Sequence, residues 1–341
     1  MSAQLVLITG INGFIGYRTL RTTLEAGYVV RGVVRSQSKV QAIKDALGDS
    51  ALVAKVDFAV VSDMAAPNAF DHLMDGVSFV IHVASPMDKP SNDYEKDMFR
   101  PAIDMTINVL SASAKSPNVK RIVITSSVTP LISGPEFVTG SFSKEVFRPA
   151  EDTIYHYDIK GKFEIPLLAY AASKALSLEA AEAFIDEKKP HFETVFLMPT
   201  LVVGANGLAK TAEETLLSTS GLLLKLLLGQ PGNPIIGVSV HVDDVAKLHV
   251  LALKPEVPAG RYLVSSEGPK GSDWHSGFAV VKKYFPDAVG KVFVTEAERY
   301  IVPANVDVTK TEEAFDFKFA SFEEQAKSAI GNYVDLLAKE G

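Results

Sequence analysis

The chain begins with an apolar run that breaks into three closely spaced glycines, Gly10, Gly13 and Gly16, in the segment LITGINGFIG. A short strand-like run, LVLI, precedes them, and a helix-like run, FIGYRTLRTTLEAG, follows. Glycine accepts positive φ and carries no Cβ, so a strand can turn sharply into a helix here. The free N–H groups and positive dipole end of such a helix attract an anion. The feature predicts a turn that binds a dinucleotide pyrophosphate; an ordinary glycine-rich turn is the alternative.

Each glycine has a separate expected role in this turn. Gly10 permits the tight turn, Gly13 lets a pyrophosphate approach the backbone, and Gly16 lets the helix pack closely on the strand. The other residues that we assign to the same cofactor turn are Asn12, Phe14 and Ile15.

The bulk composition favours a globular α/β protein. With 341 residues, 47% of them hydrophobic, the chain can form one large unit or two closely joined lobes. A net charge of −7 argues against nucleic acid or an anionic membrane surface as a partner. The absence of cysteine excludes disulfides, thiolate metal sites and a cysteine nucleophile. We see no leader segment and no apolar run long enough for a bilayer, so we expect a cytoplasmic protein without membrane partners.

Apolar strand-like runs alternate with helical patterns along the first two thirds of the chain. Continuous apolar strands separated by helices predict a doubly wound, parallel Rossmann sheet. The predicted strands are Leu5–Ile8, Tyr28–Val34, Leu52–Val56, Phe79–Val83, Arg121–Thr125 and Glu193–Met198. The predicted helices are Phe14–Ala26, Lys39–Leu47, about Tyr94–Ser113 and about Ala169–Lys188.

This alternation weakens after about residue 200. We therefore predict a nucleotide-binding Rossmann domain over residues 1–200, with returns at about 235–265. Residues 201–341 would form mainly a smaller, interleaved substrate-binding lobe. The stretch from Pro130 to about Pro166 has no strong periodicity, which in a compact domain favours a functional loop over half-formed secondary structure.

The second strand ends in a cation rather than an acid. Arg35 directly follows Val34, ~20 residues beyond the glycines, where NAD-selective sites carry an acid for the ribose 2′-OH. Arginine can hold a 2′-phosphate there, and Lys39 could join it. These residues favour NADP; two solvated surface cations are the alternative. Arg31, earlier in the strand, is a weaker candidate.

The segment YAASK places Tyr170 and Lys174 four residues apart in a helical run, so both lie on one helical face. A neighbouring ammonium stabilises a phenolate, which makes such a pair a tunable acid or base. The spacing alone is weak evidence, because it also occurs by chance on surface helices.

A second polar group ends the fifth predicted strand. The run RIVITSSVTP terminates in Thr125, Ser126 and Ser127, at the edge of the sheet where Rossmann ligands bind. A serine hydroxyl there could bind the substrate oxygen whose proton Tyr170 exchanges. A simple turn or helix cap is the alternative reading of a serine at this place.

Together, the glycine turn, the strand-end TSS and the YxxxK pattern resemble the extended short-chain dehydrogenase/reductase family. The resemblance is greatest to its dihydroflavonol-reductase-like branch, with the fungal aldehyde, methylglyoxal and carbonyl reductases. It covers nearly the whole chain and includes VVSDM at 60–64, VIHVASP at 80–86, HFETVFLMPTLVVG at 191–204, VHVDDVAKLHVLAL at 240–253 and VDVTKTEEAFDFKF at 306–319.

The resemblance implies roles for individual residues. Ser127 would orient a carbonyl, Tyr170 would donate the proton, and Lys174 would hold the nicotinamide ribose and stabilise the tyrosinate. The remaining cofactor contacts that it implies are Asp63 and Met64 beside the adenine, Val83, Ala84 and Ser85 along the pyrophosphate and ribose, Thr125 and Ser126 at the strand end, and Pro199, Leu201 and Val202 beside the carboxamide. Asn12 stands where many relatives have a small residue, and its side chain would contact either the pyrophosphate or only the loop. Pro130 also departs from the family pattern and should alter the substrate-side loop, so no substrate preference carries over.

Several conspicuous residues have structural explanations. For His241, Asp243 and Asp244 we expect an aspartate helix cap and a structural histidine rather than a metal cluster. Trp274 and His275 should pack in the C-terminal lobe, and the leucine run at 222–228 should be core.

The combined interpretation is an NADPH-dependent carbonyl reductase without a metal, acting on a small hydrophobic ketone or aldehyde as a monomer or homodimer. The expected pocket borders are mostly apolar: Pro86, Met87, Pro130, Leu131, residues 201–203 and residues 216–228, with Lys210 and Lys225 as the nearby cations. An epimerase on the same scaffold is one alternative, which Arg35 disfavours. A non-catalytic NADP-sensing regulator is another, which the retained Tyr170 and Lys174 disfavour.

Overall fold

The computed structural model describes residues 4–86, 90–139, 154–163, 165–267 and 271–340. Its strands are β1 Leu5–Thr9, β2 Val29–Val34, β3 Val56–Val60, β4 Val77–His82, β5 Arg121–Thr125, β6 Glu193–Pro199, β7 Leu201–Val203, β8 Ile235–Ile236, β9 Ser239–His241, β10 Gly260–Val264 and β11 Ile301–Val302. Its α-helices are α1 Phe14–Glu25, α2 Gln37–Leu47, α3 Ser50–Val53, α4 Arg100–Ala114, α5 Gly134–Thr139, α6 Pro166–Lys188, α7 Ala212–Thr215, α8 Ser220–Leu227, α9 Val242–Leu251, α10 Gly277–Tyr284, α11 Thr309–Phe315 and α12 Phe322–Glu340.

The main sheet has seven parallel strands in the order β10-β6-β5-β4-β1-β2-β3. The chain runs outward from β1 to β3, then returns to the other side of β1 and continues from β4 to β10. This reversal opens a crevice beyond the carboxyl ends of β1 and β4, which is the usual ligand site of such a sheet. The predicted doubly wound Rossmann fold is confirmed.

Two apolar layers cover the sheet, because alternate strand residues point to opposite faces. On one face, Leu7 lies in a core that includes Val109 of α4 and Leu178 of α6. On the other face, Val6 and Ile8 lie in a core built with α1, α2 and α9. Burial on both faces explains why the strands read as nearly continuous apolar runs.

The predicted third strand, Leu52–Val56, was wrong. Residues Ser50–Val53 form α3, and the strand begins at Val56 and ends at Val60. Asp49 caps this short helix by accepting a hydrogen bond from the amide of Ala51 at 2.8 Å. A short apolar run fits a half-buried helical turn as well as a strand, and the cap favours the helix here.

A third core lies in the C-terminal part of the chain. The run at 222–228 supplies four buried leucines to it, and Trp274 packs against Phe322 with ring centroids 5.5 Å apart. Two short parallel sheets, β7–β9 and β8–β11, lie outside the main sheet. The domain boundary near residue 200 stays a prediction. Among the described helices, none combines the length and apolar character of a transmembrane span.

Candidate functional site

The glycine turn between β1 and α1 is built on close backbone contacts. Gly10 has a φ of 75°, in the left-handed region that favours glycine. A Cβ on Gly16 would lie 2.0 Å from the carbonyl oxygen of Gly10, so only glycine fits there. A Cβ on Gly13 would meet only that same oxygen, at 3.4 Å, which leaves the space in front of the helix open for a ligand. Phe14 and Ile15 begin the helix behind Asn12 and this opening.

The loops that carry most of the predicted site residues all leave the same edge of the sheet. On one side of β1, Arg35 follows β2 and Asp63 lies just beyond β3. On the other side, residues 83–85 follow β4, Ser126 follows β5, and Pro199 ends β6. Because parallel strands end at one edge, this order spreads the predicted contacts along a single line across the crevice.

The two cations near β2 are exposed. Arg35 and Lys39 have no side-chain hydrogen-bond or ion-pair partner within the part of the chain that the structure describes. Arg31 differs, because its guanidinium donates to the carboxylate of Asp57 at 2.8 Å and to two backbone carbonyls. Arg35 and Lys39 are therefore available for an anionic ligand, whereas Arg31 is occupied in the fold.

Asp63 and Met64 differ in exposure, although they are neighbours in sequence. The Asp63 side chain is exposed and accepts a hydrogen bond from the amide of Ala65 at 2.9 Å. The Met64 side chain is 4% exposed and lies in the core beneath α4. Met64 can thus offer only its backbone surface to an adenine.

The segment after β4 is fixed by a threonine that the sequence analysis missed. Thr9, the last residue of β1, accepts hydrogen bonds from the amides of Val83 and Ala84, each at 3.2 Å. A Cβ on Gly10 would lie 2.8 Å from the amide nitrogen of Ala84, so the two loops touch. Residues 83–85 therefore form a rigid wall beside the glycine turn.

Tyr170 and Lys174 lie on α6, which begins with proline at its first turn. The residues from Ala171 to Leu176 are all buried, because small alanine side chains let this helix fit between α4 and the sheet. The ammonium of Lys174 lies 5.8 Å from the ring centroid of Tyr170. It donates a hydrogen bond to the carbonyl oxygen of Thr125 at 3.3 Å. Burial lowers the pKa of Lys174 to about 8, which leaves it mainly charged at neutral pH.

Tyr170 borders an aromatic cluster formed with α4 and the turn before it. Phe99 and Phe163 pack edge to face with ring centroids 4.9 Å apart, and Tyr94 lies against both. Phe99 ends a π-helical turn, Glu95–Phe99, that leads directly into α4. Such turns often occur at functional sites, and here the cluster supports the half-buried ring of Tyr170.

Ser126 and Ser127 continue the path of β5 beside β6. The amide of Ser126 donates to Leu197 at 2.7 Å, and the amide of Val128 donates to Pro199 at 3.1 Å. Between them, Ser127 accepts a hydrogen bond from the amide of Thr129 through its hydroxyl oxygen, at 3.2 Å. This bond uses a lone pair, so the hydroxyl hydrogen of Ser127 can still be donated to a ligand oxygen.

A small pocket joins several of these groups beneath the crevice. It is lined by His82, Ala84, Ser85, Ala102, Thr106, Ile124, Thr125, Ser126, Lys174, Ser177, Leu178 and Phe196. The hydroxyl of Ser126 is buried at this pocket with no hydrogen-bond partner among the described residues. A buried polar group without a partner is costly in a folded protein, so this hydroxyl is suited to a bound polar ligand.

The expected substrate side of the site is only partly described. Met87 lies outside the described residues, as do residues 140–153. Leu131 is fully buried in the core, so it does not line an open pocket wall as predicted. Lys210 is exposed, Lys225 is half-buried, and in the 216–228 segment Leu217 is 80% exposed. Val202 is buried in β7, while Leu201 is half-buried and packs against the C-terminal core.

The segment before α9 corrects the predicted aspartate cap. His241 is the N-cap residue, and its Nδ1 atom accepts a hydrogen bond from the amide of Asp243 at 3.0 Å. Asp243 instead accepts hydrogen bonds from Nε and Nη2 of Arg18, and Asp244 accepts from the amide of Ala320 at 2.7 Å. Both carboxylates are thus hydrogen-bonded to residues outside α9 and do not cap it. Within the described ranges, no cluster of metal-ligating side chains occurs.

Two buried histidines next to the site were also missed by the sequence analysis. His82 bonds to Thr9 at 2.8 Å, and His249 of α9 bonds to Thr125 at 2.6 Å. The available signal was a polar residue in an otherwise apolar strand or helix, because a buried polar group requires a partner. That signal does not reveal which residue the partner is.

Comparison with known proteins gives consistent results. Residues 6–264 match the NAD dependent epimerase/dehydratase family. The chain is 36% identical over 356 aligned residues to the ketoreductase CTB6 of Cercospora nicotianae, covering 100% of this chain and 98% of that one. It is 34% identical over 295 residues to aldehyde reductase 2 of Sporidiobolus salmonicolor, covering 83% and 82% of the two chains. The crystal structure of yeast methylglyoxal/isovaleraldehyde reductase Gre2 with NADPH has a TM-score of 0.83 at 25% identity, covering 98% of this chain and 100% of that one.

The chain belongs to the NAD dependent epimerase/dehydratase family, the extended group of short-chain dehydrogenases/reductases. The resemblance drawn from its motifs is thereby confirmed.

Proposed function

We propose that this protein is an NADPH-dependent carbonyl reductase that converts a neutral, hydrophobic ketone or aldehyde to an alcohol. The observation that carries the proposal is the buried ammonium of Lys174 beside the ring of Tyr170, at the edge of the sheet where the glycine turn opens. Relatives named as ketoreductase and aldehyde reductase, and a structural neighbour with NADPH, support the same class of reaction.

Features along the crevice fit a phosphorylated dinucleotide. The open face of Gly13 can admit a pyrophosphate against the free amides of α1. Arg35 and Lys39 stand at the end of β2 without partners among the described side chains, as a 2′-phosphate would require. On the other side, Lys174 and the unpartnered hydroxyl of Ser126 offer polar contacts to a ribose. NADPH, when bound, supplies a hydride for the carbonyl carbon.

The residues around the carbonyl oxygen would then control its charge and its proton. Ser127 donates its free hydroxyl hydrogen to the oxygen and orients the carbonyl. Tyr170 donates the proton that completes the alcohol, acting as the general acid. Lys174 stabilises the tyrosinate that remains, because its ammonium lies beside the ring in a site shielded from water.

The preference for a neutral substrate follows from the apolar composition of the predicted pocket borders. Val202 is buried, Leu201 and Leu222 are half-buried, and the cations nearest in sequence are Lys210 and Lys225. Lys210 is exposed and would not neutralise a buried anion. Burying an unpaired carboxylate costs several kcal/mol, so uncharged carbonyl compounds should bind better.

The test is to follow the loss of NADPH absorbance with a panel of aldehydes, aryl ketones, α- and β-keto esters and free keto acids. NADH should be run in parallel at the same concentration. We expect reduction of several uncharged substrates, faster with NADPH than with NADH. The proposal would be contradicted by folded protein that binds NADPH but reduces none of these carbonyl compounds.

A further inference from the structure

His249 is a fully buried histidine on α9 that reaches across to the end of β5. Its Nδ1 atom lies 2.7 Å from the carbonyl oxygen of Val245, and a carbonyl can only accept. Nδ1 therefore carries the ring proton. Burial lowers the pKa of His249 to about 4, so the ring is neutral at pH 7 and its Nε2 atom is an acceptor. The hydroxyl of Thr125, 2.6 Å from Nε2, must be the donor.

Thr125 connects this histidine to the lysine on the opposite face of the sheet. It is the last residue of β5, and its hydroxyl contacts His249 of α9. Together with Ile124 and Ser126 it also lines the pocket beneath α4 and α6. Its carbonyl oxygen accepts the hydrogen bond from the ammonium of Lys174 at 3.3 Å. A hydrogen-bonded chain thus runs from α9 through one strand residue to Lys174.

We infer that His249 and Thr125 are positioning residues for Lys174. By fixing the Thr125 side chain, His249 fixes the direction of the Thr125 carbonyl and the start of the Ser126–Ser127 segment. The inference rests on the proposed function, in which Lys174 supports proton donation by Tyr170.

The environment of Lys174 explains why one carbonyl matters. The titratable groups facing it are Tyr170 on its own helix and His82 on β4. Burial, and secondarily the Lys174 charge, lowers the pKa of His82 to about 3, so His82 is neutral and adds no second positive charge. Among the described residues that line the pocket around the ammonium, none carries a carboxylate. The carbonyl oxygen of Thr125 therefore supplies the hydrogen bond that holds the charged form of Lys174 in place.

Four single variants separate positioning from simple packing. Thr125→Val removes the hydroxyl donor and His249→Phe removes the Nε2 acceptor, and both approximately keep the side-chain shape. Thr125→Ser keeps a hydroxyl donor, and His249→Gln keeps an acceptor. In the two apolar variants we expect kcat to fall about tenfold or more, since small displacements at a reacting centre are costly. The alkaline fall of kcat should begin at lower pH, because the ammonium is less stabilised. The conservative variants should recover both kcat and the pH profile.

A purely structural role predicts a different pattern. Thr125→Val and His249→Phe would then lower the thermal midpoint but leave kcat and the pH profile of the folded protein unaltered, which would overturn the inference. Lys174→Met serves as the reference variant. If it retains full activity, the proposed role of Lys174 fails and this inference fails with it. If it is inactive while folded Thr125→Val is normal, only the positioning inference fails.

The unaltered protein provides an independent test, in which a variant serves only to assign the resonance. Nitrogen-15 NMR of the histidine side chains at neutral pH should show His249 with its proton on Nδ1 and a bare Nε2. The resonance is assigned by its loss in His249→Gln. A proton on Nε2 would reverse the direction of the bond to Thr125 and overturn the inference.

Discussion

The hydroxyl of Thr9 lies 2.8 Å from Nδ1 of His82, joining the ends of β1 and β4 where the strand order reverses. The threonine oxygen already accepts from the amides of Val83 and Ala84, so its hydrogen must be donated to the histidine. His82 is neutral, because burial lowers its pKa to about 3. The two central strands of the crevice are therefore locked together by uncharged groups, and titration above about pH 4 leaves this contact intact.

Removing the hydroxyl of Tyr170 tests the proposed proton donor. In Tyr170→Phe the ring still packs against the aromatic cluster, but no proton can be donated. We expect kcat to fall by about 10²-fold or more, with NADPH affinity largely kept. Steady-state kinetics and a fluorescence titration with NADPH measure the two effects. Tyr300→Phe, at a tyrosine that is 65% exposed, is the matched control and should be fully active. Near-normal turnover in Tyr170→Phe would rule out the assignment.

Removing the two cations at the end of β2 tests cofactor selection. In the double variant Arg35→Ala and Lys39→Ala, NADPH binding should weaken by about 2–4 kcal/mol more than NADH binding, because only NADPH has a 2′-phosphate. Dissociation constants for both cofactors measure the difference. Lys44→Ala, further along α2, removes a cation that lies over the Phe58 ring and should affect neither cofactor selectively. Equal losses for NADPH and NADH would show that the pair consists of ordinary surface cations.

The glycine turn offers two substitutions with opposite expected effects. In Gly16→Ala the new Cβ would lie 2.0 Å from the oxygen of Gly10, so the turn must distort and the thermal midpoint should fall by several degrees. In Gly13→Ala the nearest atom is 3.4 Å away, so the fold should be preserved while NADPH binding weakens. Thermal unfolding without ligand and NADPH titration distinguish them. Equal thermal midpoints for the two variants would contradict the packing argument.

Burial of the Lys174 ammonium should lower the stability of the folded protein, although the ammonium is needed for activity. Its pKa falls from 10.5 to about 8 on folding, which corresponds to about 3 kcal/mol of unfavourable burial. The cost is complete below pH 8, where folded and unfolded chains are both protonated, and declines as pH rises from 8 toward 10.5. We therefore expect Lys174→Met to be inactive but more stable at pH 7, with a smaller gain at pH 10.

Denaturant unfolding at the two pH values measures this effect. The free Thr125 carbonyl in the variant offsets about 1 kcal/mol of the gain. Lys291→Met, at an exposed lysine, should change stability little at either pH. The prediction would be contradicted if the stability gain of Lys174→Met over the unaltered chain were smaller at pH 7 than at pH 10.

The proposed substrate class can be tested with pairs that differ only in charge. A keto acid and its ethyl ester share the reacting carbonyl, but only the acid carries a carboxylate. We expect the ester to have the higher kcat/KM, because the predicted pocket borders bring few cations to neutralise an anion. A free acid that is the best substrate of a broad panel would refute this and direct attention to Lys210 and Lys225.

Local patterns in the sequence predicted the parts of the site whose geometry is itself local. The glycine turn and the four-residue spacing of Tyr170 and Lys174 depend on neighbours in sequence, and the structure has the turn and helix that they require. The third strand was misplaced because the apolar pair Leu52 and Val53 fits a half-buried helical turn equally well.

Long-range partners could not be read from the sequence. Thr125 and His249 are separated by 124 positions, and Thr9 and His82 by 73. Their pairing depends on strand order and on how α9 packs against the sheet. The predicted aspartate N-cap of α9 was wrong for a related reason. Arg18 of α1 binds the carboxylate of Asp243, and His241 caps the helix instead.

The same pairing has a consequence for how the chain is made. α1 packs against α9, and Arg18 and Asp243 are 225 positions apart. A ribosome that adds about 5–20 residues per second needs about 10–45 s to produce the second helix after the first. During that interval Leu20 and Leu24, which are buried in the finished protein, have no α9 to cover them. A nascent chain that ends before α9 therefore exposes this apolar face of α1 to solvent.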